Sequence, residues 1–223
     1  MGKTGKKSCT GVIVRRTKVQ RPRRTRATHR ILVPSPNNSD AELADSLLER
    51  DAMMLCHFCS RIASFTSQPL TLTYSGTDKD IEATPDLEVN YIDNSSELLE
   101  IKYADELEKP GLKDKYRNIQ TQFAHMGRRY RIITDKQIRR DPNKLRNFRR
   151  LLGYRLDESP LPEIDWLPAN KPFGIRDLAE KLGSEGDVYR LLARQELYCD
   201  FSRLITLETI VRKSEPTDYL AFI

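Results

Sequence analysis

Asp86, Glu100 and Lys102 have the side-chain types of a metal-dependent site for phosphate chemistry. Two carboxylates can hold a hard divalent cation through their oxygens, and a nearby ammonium can lie beside the reacting water or phosphate. The E-x-K spacing places Glu100 and Lys102 on one face of a strand. Such a pattern is more often a half-exposed strand with solvated charges, so the elements that position these residues carry the argument.

A β-hairpin over residues 81–103 is predicted to position them. The period-two pattern has one apolar set in each arm: Leu87, Val89 and Tyr91, then Leu99, Ile101 and Tyr103. Opposed residues of an antiparallel pair share a face, so burying both sets together requires an odd-length loop. A loop at residues 94–96, for instance, pairs Asn90 with Glu100. It also pairs Glu88 with Lys102. This parity puts Asp86, Glu100 and Lys102 on one side.

The 223 residues and the 38% hydrophobic content suffice for one ordinary domain and a small second one. The net charge of +6 is strongly segregated. Residues 1–30 carry eleven Lys and Arg and no acid, and residues 113–155 carry fourteen against three acids. Basic stretches flanking an acidic middle suit a protein that grips phosphates at its edges and holds metal at its centre.

The four cysteines are too few and too scattered for a disulfide framework, which fits a reducing compartment. Cys56 and Cys59 have C-x-x-C spacing, but no second ligand pair follows, which argues against structural zinc. No apolar run approaches a membrane span. We therefore expect a soluble intracellular protein without a membrane partner.

A helix is predicted from Ser39 or Asp40 to Phe58. Its apolar face comprises Leu43, Leu47, Met54, Leu55 and Phe58. Glu49 lies on the opposite side, where an acid is most simply exposed to solvent. A helix crossing the edge of the hairpin would instead present Glu49 to the metal as a further carboxylate.

The remaining core elements are a β-rich run at 62–74 bent at Gln68-Pro69, a helix at 112–126 ended by Gly127, and a strand at 129–134. A strand that follows a helix of this length can add in parallel to a sheet. The predicted fold class is therefore an α/β core with a mixed sheet of four or five strands.

Two basic segments are candidates for DNA phosphates. One is the arm, residues 1–30, with a short strand at 12–14; the other is a helix at 136–152, entered or broken at Asp141-Pro142 and with its bases largely outward. The candidate residues are Arg15, Arg16, Lys18, Arg21, Arg23, Arg24, Arg26, Arg139, Arg140, Lys144, Arg146, Arg149 and Arg150. Phosphate contacts of this kind position DNA without specifying its sequence.

Prolines 160, 162 and 168 mark a linker to a small C-terminal domain. Two short helices, IRDLAEKLG and DVYRLLARQ, precede the β-like segments LYCD and LITLETIV, an order that resembles a winged helix. Residues 156–223 carry thirteen acids and eight bases. This charge favours protein docking over DNA reading.

Five motifs in order resemble the TnsA endonuclease subunit of heteromeric bacterial transposases: SLLE at 46–49, QP at 68–69, TPDL at 84–87, EIK at 100–102 and YRIITDKQI at 130–138. The resemblance covers roughly residues 40–155, and the C-terminal part is also similar to that family. It implies a restriction-endonuclease-like core at 31–157, an arm at 1–30 and a winged-helix-like domain at 158–223.

The resemblance implies catalytic roles for Glu49, Asp86, Glu100 and Lys102. Some relatives have Gln where this chain has Glu100, and an acid is the better Mg²⁺ ligand. The metal ligands would be Asp86, Glu100 and Glu49, holding one or two Mg²⁺ ions for which Mn²⁺ should substitute. Gln68 is expected to support them from outside the coordination sphere.

The implied reaction is hydrolysis of the 5′ strands at transposon ends in bacterial cytoplasm, with nucleoid association when DNA is bound. The implied partners are double-stranded DNA, a DDE-type, TnsB-like transposase subunit and an AAA+, TnsC-like regulator. Two alternatives remain at this point. One is a non-catalytic DNA-binding or adaptor protein, and the other is a stand-alone restriction or repair nuclease of the same fold.

Overall fold

The computed structural model describes residues 13–16, 31–33, 41–75, 79–169 and 171–213, with the backbone alone for 13–16. The strands are β1 (Ile13–Arg16), β2 (Ile31–Val33), β3 (Glu42–Ala44), β4 (Ile62–Ser67), β5 (Leu70–Ser75), β6 (Asp80–Ala83), β7 (Leu87–Tyr91), β8 (Ser96–Lys102), β9 (Arg129–Thr134), β10 (Phe173–Gly174) and β11 (Ile210–Val211). The helices are α1 (Leu47–His57), α2 (Leu112–His125), α3 (Asp135–Ile138), α4 (Pro142–Leu156), α5 (Ile175–Leu182) and α6 (Glu185–Ala193), and a 3₁₀ helix spans Ala104–Glu108.

A mixed four-stranded sheet in the order β4-β7-β8-β9 forms the centre of the fold. β4 and β8 each pair antiparallel with β7, whereas β9 pairs in parallel with β8. The crossover from β8 to β9 contains α2, as a parallel connection requires. The predicted mixed α/β sheet and the parallel addition of its last strand are thus confirmed.

Apolar side chains cover both faces of this sheet. Leu87, Val89, Leu99 and Ile101 join the core that contains α1. Leu98 faces the other way and packs with α2 residues. β8 therefore lies between two layers of helix.

Smaller sheets flank the centre. β5 pairs with β1 and β6, and β2 pairs with β3. The 62–74 run is divided between β4 and β5, which lie in different sheets, so the predicted bend at Gln68-Pro69 is confirmed. The strand predicted inside the basic arm is also present, as β1.

The start of the first helix was predicted wrongly. Glu42 and Leu43 lie in β3, and α1 begins only at Leu47, whose side chain is 54% exposed rather than buried. Ser46 is the N-cap, and its hydroxyl accepts the N–H of Glu49 at 3.1 Å. Ser39 and Asp40, the caps proposed from the sequence, lie outside the described residues.

The C-terminal third contains the two predicted helices, α5 and α6, but the two predicted β-like segments do not form a regular hairpin among its described residues. Thr206 and Thr209 close a tight turn that interrupts LITLETIV, with the N–H of Thr206 bonded to the Thr209 hydroxyl at 2.9 Å. Only β11 remains, and it pairs with β10 ahead of α5. The LYCD segment contributes one bridge, Tyr198 to Arg212.

This third of the chain packs directly on α4. Phe148 stacks on Phe58 of the α1 end at 4.3 Å between ring centroids, and Phe201 meets Phe148 edge-on at 5.1 Å. The side chain of Asn147 donates to the carbonyls of Phe201 and Arg203. One apolar core therefore continues from α1 through α4 to β11.

In the part of the chain that the structure describes, every helix is too short or too polar to cross a bilayer.

Candidate active site

The loop of the hairpin has an odd number of residues, as predicted, but the two strands pair in a different register. Asn90 pairs with Ser96 and Leu87 with Leu99, so the three-residue loop is 92–94, two positions earlier than expected. Asn94 has φ of 64°, a left-handed conformation that Asn tolerates and that three-residue hairpin loops use. Glu88 therefore faces Leu98 rather than Lys102. Continued by one pair, this register sets Asp86 opposite Glu100.

Asp86, Glu100 and Lys102 meet at one end of the β7–β8 pair. The Lys102 Nζ lies 2.8 Å from a Glu100 oxygen and 3.3 Å from Asp86 Oδ2. The same Asp86 oxygen accepts the main-chain N–H of Ile101 at 2.6 Å. Asp86 precedes the first residue of β7, and its carboxylate is thereby held against β8. The structure thus brings together the three residues singled out first from the sequence.

Two carboxylates and one ammonium share a poorly hydrated space. The side chains of Asp86 and Glu100 are 16% and 12% exposed. Burial raises the pKa of Asp86 most, the charge of Glu100 raises it further, and Lys102 only partly offsets both, so the pKa reaches about 7. The cluster carries more negative charge than one lysine balances. Its donor set therefore fits a divalent cation.

Lys102 remains a cation in this setting. Burial lowers the pKa of its ammonium, but the charges of Asp86 and Glu100 raise that pKa by more, and the net result lies above the ordinary value. The lysine cannot act as a proton acceptor at neutral pH for this reason. It can donate hydrogen bonds or balance negative charge.

Glu49 occupies the first turn of α1, where its carboxylate is tied up in capping. One oxygen accepts the N–H of Asp45 at 2.8 Å, and the other accepts the Ser46 hydroxyl at 2.9 Å. This arrangement is similar to a capping box, except that Glu49 accepts the N–H of Asp45 rather than that of Ser46. Burial raises the pKa of Glu49, and the charge of Lys102 counteracts this shift, which places the residue within electrostatic reach of the cluster. It is not part of a metal-ligand group in the structure.

A chain of hydrogen bonds joins Glu49 to Asp86 through Gln68. The Gln68 N–H donates to the main-chain oxygen of Asp86 at 3.0 Å, and its amide donates to Asp45 at 2.8 Å. Asp45 in turn donates its N–H to Glu49. Gln68 has a φ of 44°, a strained conformation for a residue other than glycine. Its predicted supporting position is consistent with these contacts, although its role stays a prediction.

Tyr130 lies under the cluster and was not anticipated. It pairs with Leu98 in the β8–β9 ladder and therefore shares a face with Glu100. Its ring stacks on Phe123 of α2 at 5.2 Å. Its buried hydroxyl makes no hydrogen bond of normal geometry within the described residues. Burial and then the charge of Glu100 raise the pKa of this tyrosine.

Among the described residues, no group of three or more His, Cys, Asp or Glu side chains converges in a way that could hold a metal. Asp86 and Glu100 supply two carboxylates, and the third predicted ligand, Glu49, is engaged by the helix cap. Cys56 and Cys59 are buried free thiols. The metal assignment therefore stays a prediction based on two ligands.

The predicted DNA-binding bases fall into three groups. Lys18, Arg21, Arg23, Arg24 and Arg26 lie outside the described residues, whereas the backbone of Arg15 and Arg16 lies in β1. Helices α3 and α4 confirm the predicted break at Asp141-Pro142. Of the bases near them, Arg140 and Arg146 are exposed, and half-buried Lys144 lies over the Phe148 ring at 6.0 Å.

The other three bases of this segment are also exposed, in agreement with the predicted outward placement, but each makes contacts within the molecule. Arg139 and Arg149 bond to Asp51 of α1, at 2.9 and 2.6 Å. Arg150 donates to the Ile205 carbonyl and to the Tyr189 hydroxyl. The predicted basic face is thus partly used within the molecule. The burial of Asp51 was not predicted from the sequence. Its position one turn from Leu48 and from Leu55, on the buried side of a helix, indicates a buried acid that needs a partner.

The mixed α/β core and its acid–acid–lysine cluster are compatible with a nuclease-like domain. Residues 59–135 match the family model described as TnsA-like endonuclease N terminal. This segment runs from the end of α1 through β9 and contains Asp86, Glu100 and Lys102, but not Glu49. The resemblance to TnsA-type endonucleases is confirmed, and the chain carries a TnsA-like endonuclease domain over these residues. No curated protein matches the chain.

Proposed function

We propose that this protein is a metal-dependent DNA endonuclease that hydrolyses the 5′ strands at transposon ends, as the TnsA-like subunit of a heteromeric transposase. The observation that carries the proposal is the convergence of Asp86, Glu100 and Lys102 inside the segment that matches the endonuclease family. A solvated strand face would leave these charges apart and exposed. Here the two carboxylates are largely buried and share one ammonium.

Asp86 and Glu100 would hold Mg²⁺, with Glu49 orienting or completing the set if its cap contacts rearrange. The ion would supply Lewis acidity to the scissile phosphate and to the attacking water. Lys102 already contacts both carboxylates, and its fixed charge would offset the charge that develops on the phosphoryl oxygens. Ile101 would keep the Asp86 oxygen in place through its main-chain N–H.

The choice of DNA site would come from partners. The core sequence contains no base-reading motif, so phosphate contacts would position the DNA and a DDE-type, TnsB-like transposase would recognise the ends. An AAA+, TnsC-like regulator would couple cleavage to target selection. The acidic balance of residues 156–223 supports a docking role for the C-terminal helices, in a winged-helix-like arrangement.

The test is nicking of supercoiled plasmid carrying a transposon end, with Mg²⁺ and the partner transposase present. Asp86→Ala and Lys102→Ala should each abolish nicking at the 5′ strand while the proteins keep their circular dichroism spectra. Unchanged nicking by both variants would contradict the assignment of Asp86 and Lys102 to the active site. Activity of the wild-type chain on free DNA without any partner would instead favour a stand-alone nuclease.

A further inference from the structure

Asp51 is the most buried acid of α1, with a side chain that is 1% exposed. Three arginines surround it, one from the same helix and two from the α3–α4 segment. Arg50 Nη2 lies 2.8 Å from Oδ1, Arg149 Nη2 lies 2.6 Å from the same atom, and Arg139 Nε lies 2.9 Å from Oδ2. The carboxylate therefore fixes three guanidiniums in one array.

The array carries excess positive charge at the surface. Three guanidiniums surround one carboxylate, and the side chains of Arg50, Arg139 and Arg149 are 25%, 37% and 43% exposed. Each guanidinium has five N–H donors, and Asp51 accepts only one or two from each. Donors and charge remain to receive an anion from solvent.

Asp51 stays ionised and keeps the array rigid. Burial by itself raises the pKa of Asp51, but hydrogen bonds from Arg50, Arg149 and Arg139 lower it by more, so the net pKa lies below its usual value. Arginines already held by a buried partner lose less side-chain freedom on binding than arginines free in water. The array is thus preorganised for a planar, bidentate contact.

The array contacts the residue that follows β8. Arg50 directly follows Glu49 in α1, and the Arg139 guanidinium lies 5.9 Å from the ring centroid of Tyr103. Tyr103 is the residue after Lys102. A ligand on the array would therefore lie near the end of β8, whose last residue is Lys102.

We propose that Arg50, Arg139 and Arg149, organised by Asp51, bind a backbone phosphate of the DNA strand that is cleaved. The inference rests on the proposed function and adds to it the group that positions the substrate beside the reacting phosphate. An arginine fork pairs with two phosphate oxygens at once, which a lysine cannot do. The array would hold DNA of any sequence, since phosphates carry no base information.

The experiment measures DNA affinity without chemistry. Binding of a fluorescent transposon-end duplex to full-length protein is followed by anisotropy in EDTA at several salt concentrations. Arg139→Gln and Arg149→Gln should each weaken binding about 3- to 10-fold and reduce the slope of log affinity against log salt by about 0.9, the value for one phosphate. Arg176→Gln is the matched control, because this exposed arginine of α5 pairs with Glu208 and is not one of the arginines bonded to Asp51.

A second measurement guards against misfolding of the glutamine variants. Arg149→Lys keeps the charge, and inorganic phosphate, compared with chloride at equal ionic strength, should raise the melting temperature of wild type more than that of Arg149→Lys. Salt slopes equal to wild type, or equal phosphate stabilisation of both proteins, would overturn the inference. If the glutamine variants bind DNA normally but lose the nicking that requires the partner transposase, the inference would also be overturned, in favour of a protein contact. Absence of nicking and DNA binding in wild type itself would count against the proposed function instead.

Discussion

Asp86→Asn should make the metal-free protein more stable while it abolishes nicking. Asn is nearly isosteric with a protonated Asp, and it can still accept the Ile101 N–H that Asp86 accepts now. The substitution removes one of two buried negative charges that share a single lysine. A gain in stability together with a loss of activity is expected for a residue that is retained for catalysis at a cost in stability. Removal of a residue from a structural ion pair would lower stability instead.

The magnitude follows from the shift in pKa. The pKa of Asp86 rises from 3.8 to about 7 on folding, chiefly through burial and then through the charge of Glu100. Each unit is worth about 1.4 kcal/mol, so ionised Asp86 costs at most about 4 kcal/mol. Because Asp86 titrates together with Glu100, we expect a gain of about 2–4 kcal/mol, or roughly 4–16 °C in melting temperature.

The pH dependence of the stability distinguishes whether ionised Asp86 stabilises or destabilises the fold. The folded-state pKa lies above the unfolded-state value, so the stability contribution of Asp86 is fully present below pH 4 and is lost as the pH rises through about 7. The gain from Asp86→Asn should therefore be complete at pH 8 and less than half as large at pH 5.

Thermal unfolding in EDTA at these two pH values measures the effect. Asp105→Asn is the control, because this acid lies three residues after Lys102 with a side chain that is 98% exposed, and its removal should change stability by less than about 0.5 kcal/mol. If Asp86→Asn lowers the melting temperature at pH 8, the carboxylate stabilises the fold through Lys102. The conclusion that the cluster carries more negative charge than Lys102 balances would then be wrong.

Three further predictions concern the surroundings of the cluster. Gln68→Ala should reduce the nicking rate 10- to 100-fold and raise the Mg²⁺ concentration needed, because it breaks the link between Asp86 and Asp45. An unchanged Mg²⁺ titration would show that Gln68 supports only the fold. Glu49→Gln keeps a side-chain acceptor for the Asp45 N–H and should cost less than about 0.5 kcal/mol in urea denaturation, yet it should slow nicking at least 10-fold. Full activity would restrict Glu49 to its contacts at the start of α1. Deletion of residues 1–30 should weaken duplex binding and reduce the slope of log affinity against log salt by about 0.9 for each phosphate that the arm neutralises. An unaltered slope would assign the arm to protein binding.

The convergence of the cluster was predictable because parity is a property of local sequence. Alternation in the two arms decides which side chains share a face, whatever the exact loop. The register itself was missed by a shift of the loop from 94–96 to 92–94, because Asn94 adopts the left-handed conformation that closes the turn. A turn residue with this tolerance decides between loops that hydrophobic alternation leaves equivalent.

The start of α1 was also readable, since Ser46 and Glu49 have the spacing of a capping box. The apolar pattern was extended past that signal to Leu43, which belongs to a strand. The arginine array was not predictable in the same way. Asp51 lies 88 and 98 residues from Arg139 and Arg149, and only the packing of α1 on the α3–α4 segment brings them together. The predicted outward placement of those arginines agrees with their exposure, but their contacts with Asp51 depend on tertiary packing.

Metal-dependent, strand-specific cleavage is the central claim, and one measurement addresses it most directly. Transposon-end DNA labelled separately on each strand is incubated with the protein and its partner transposase in EDTA, then with Mg²⁺ or Mn²⁺ restored. The expected result is a cut at the 5′ strand that is absent in EDTA, appears with either metal and is missing in Lys102→Ala under all conditions. Equal cleavage in EDTA, or a cut that persists in Lys102→Ala, would contradict a metal-dependent site built on Asp86, Glu100 and Lys102.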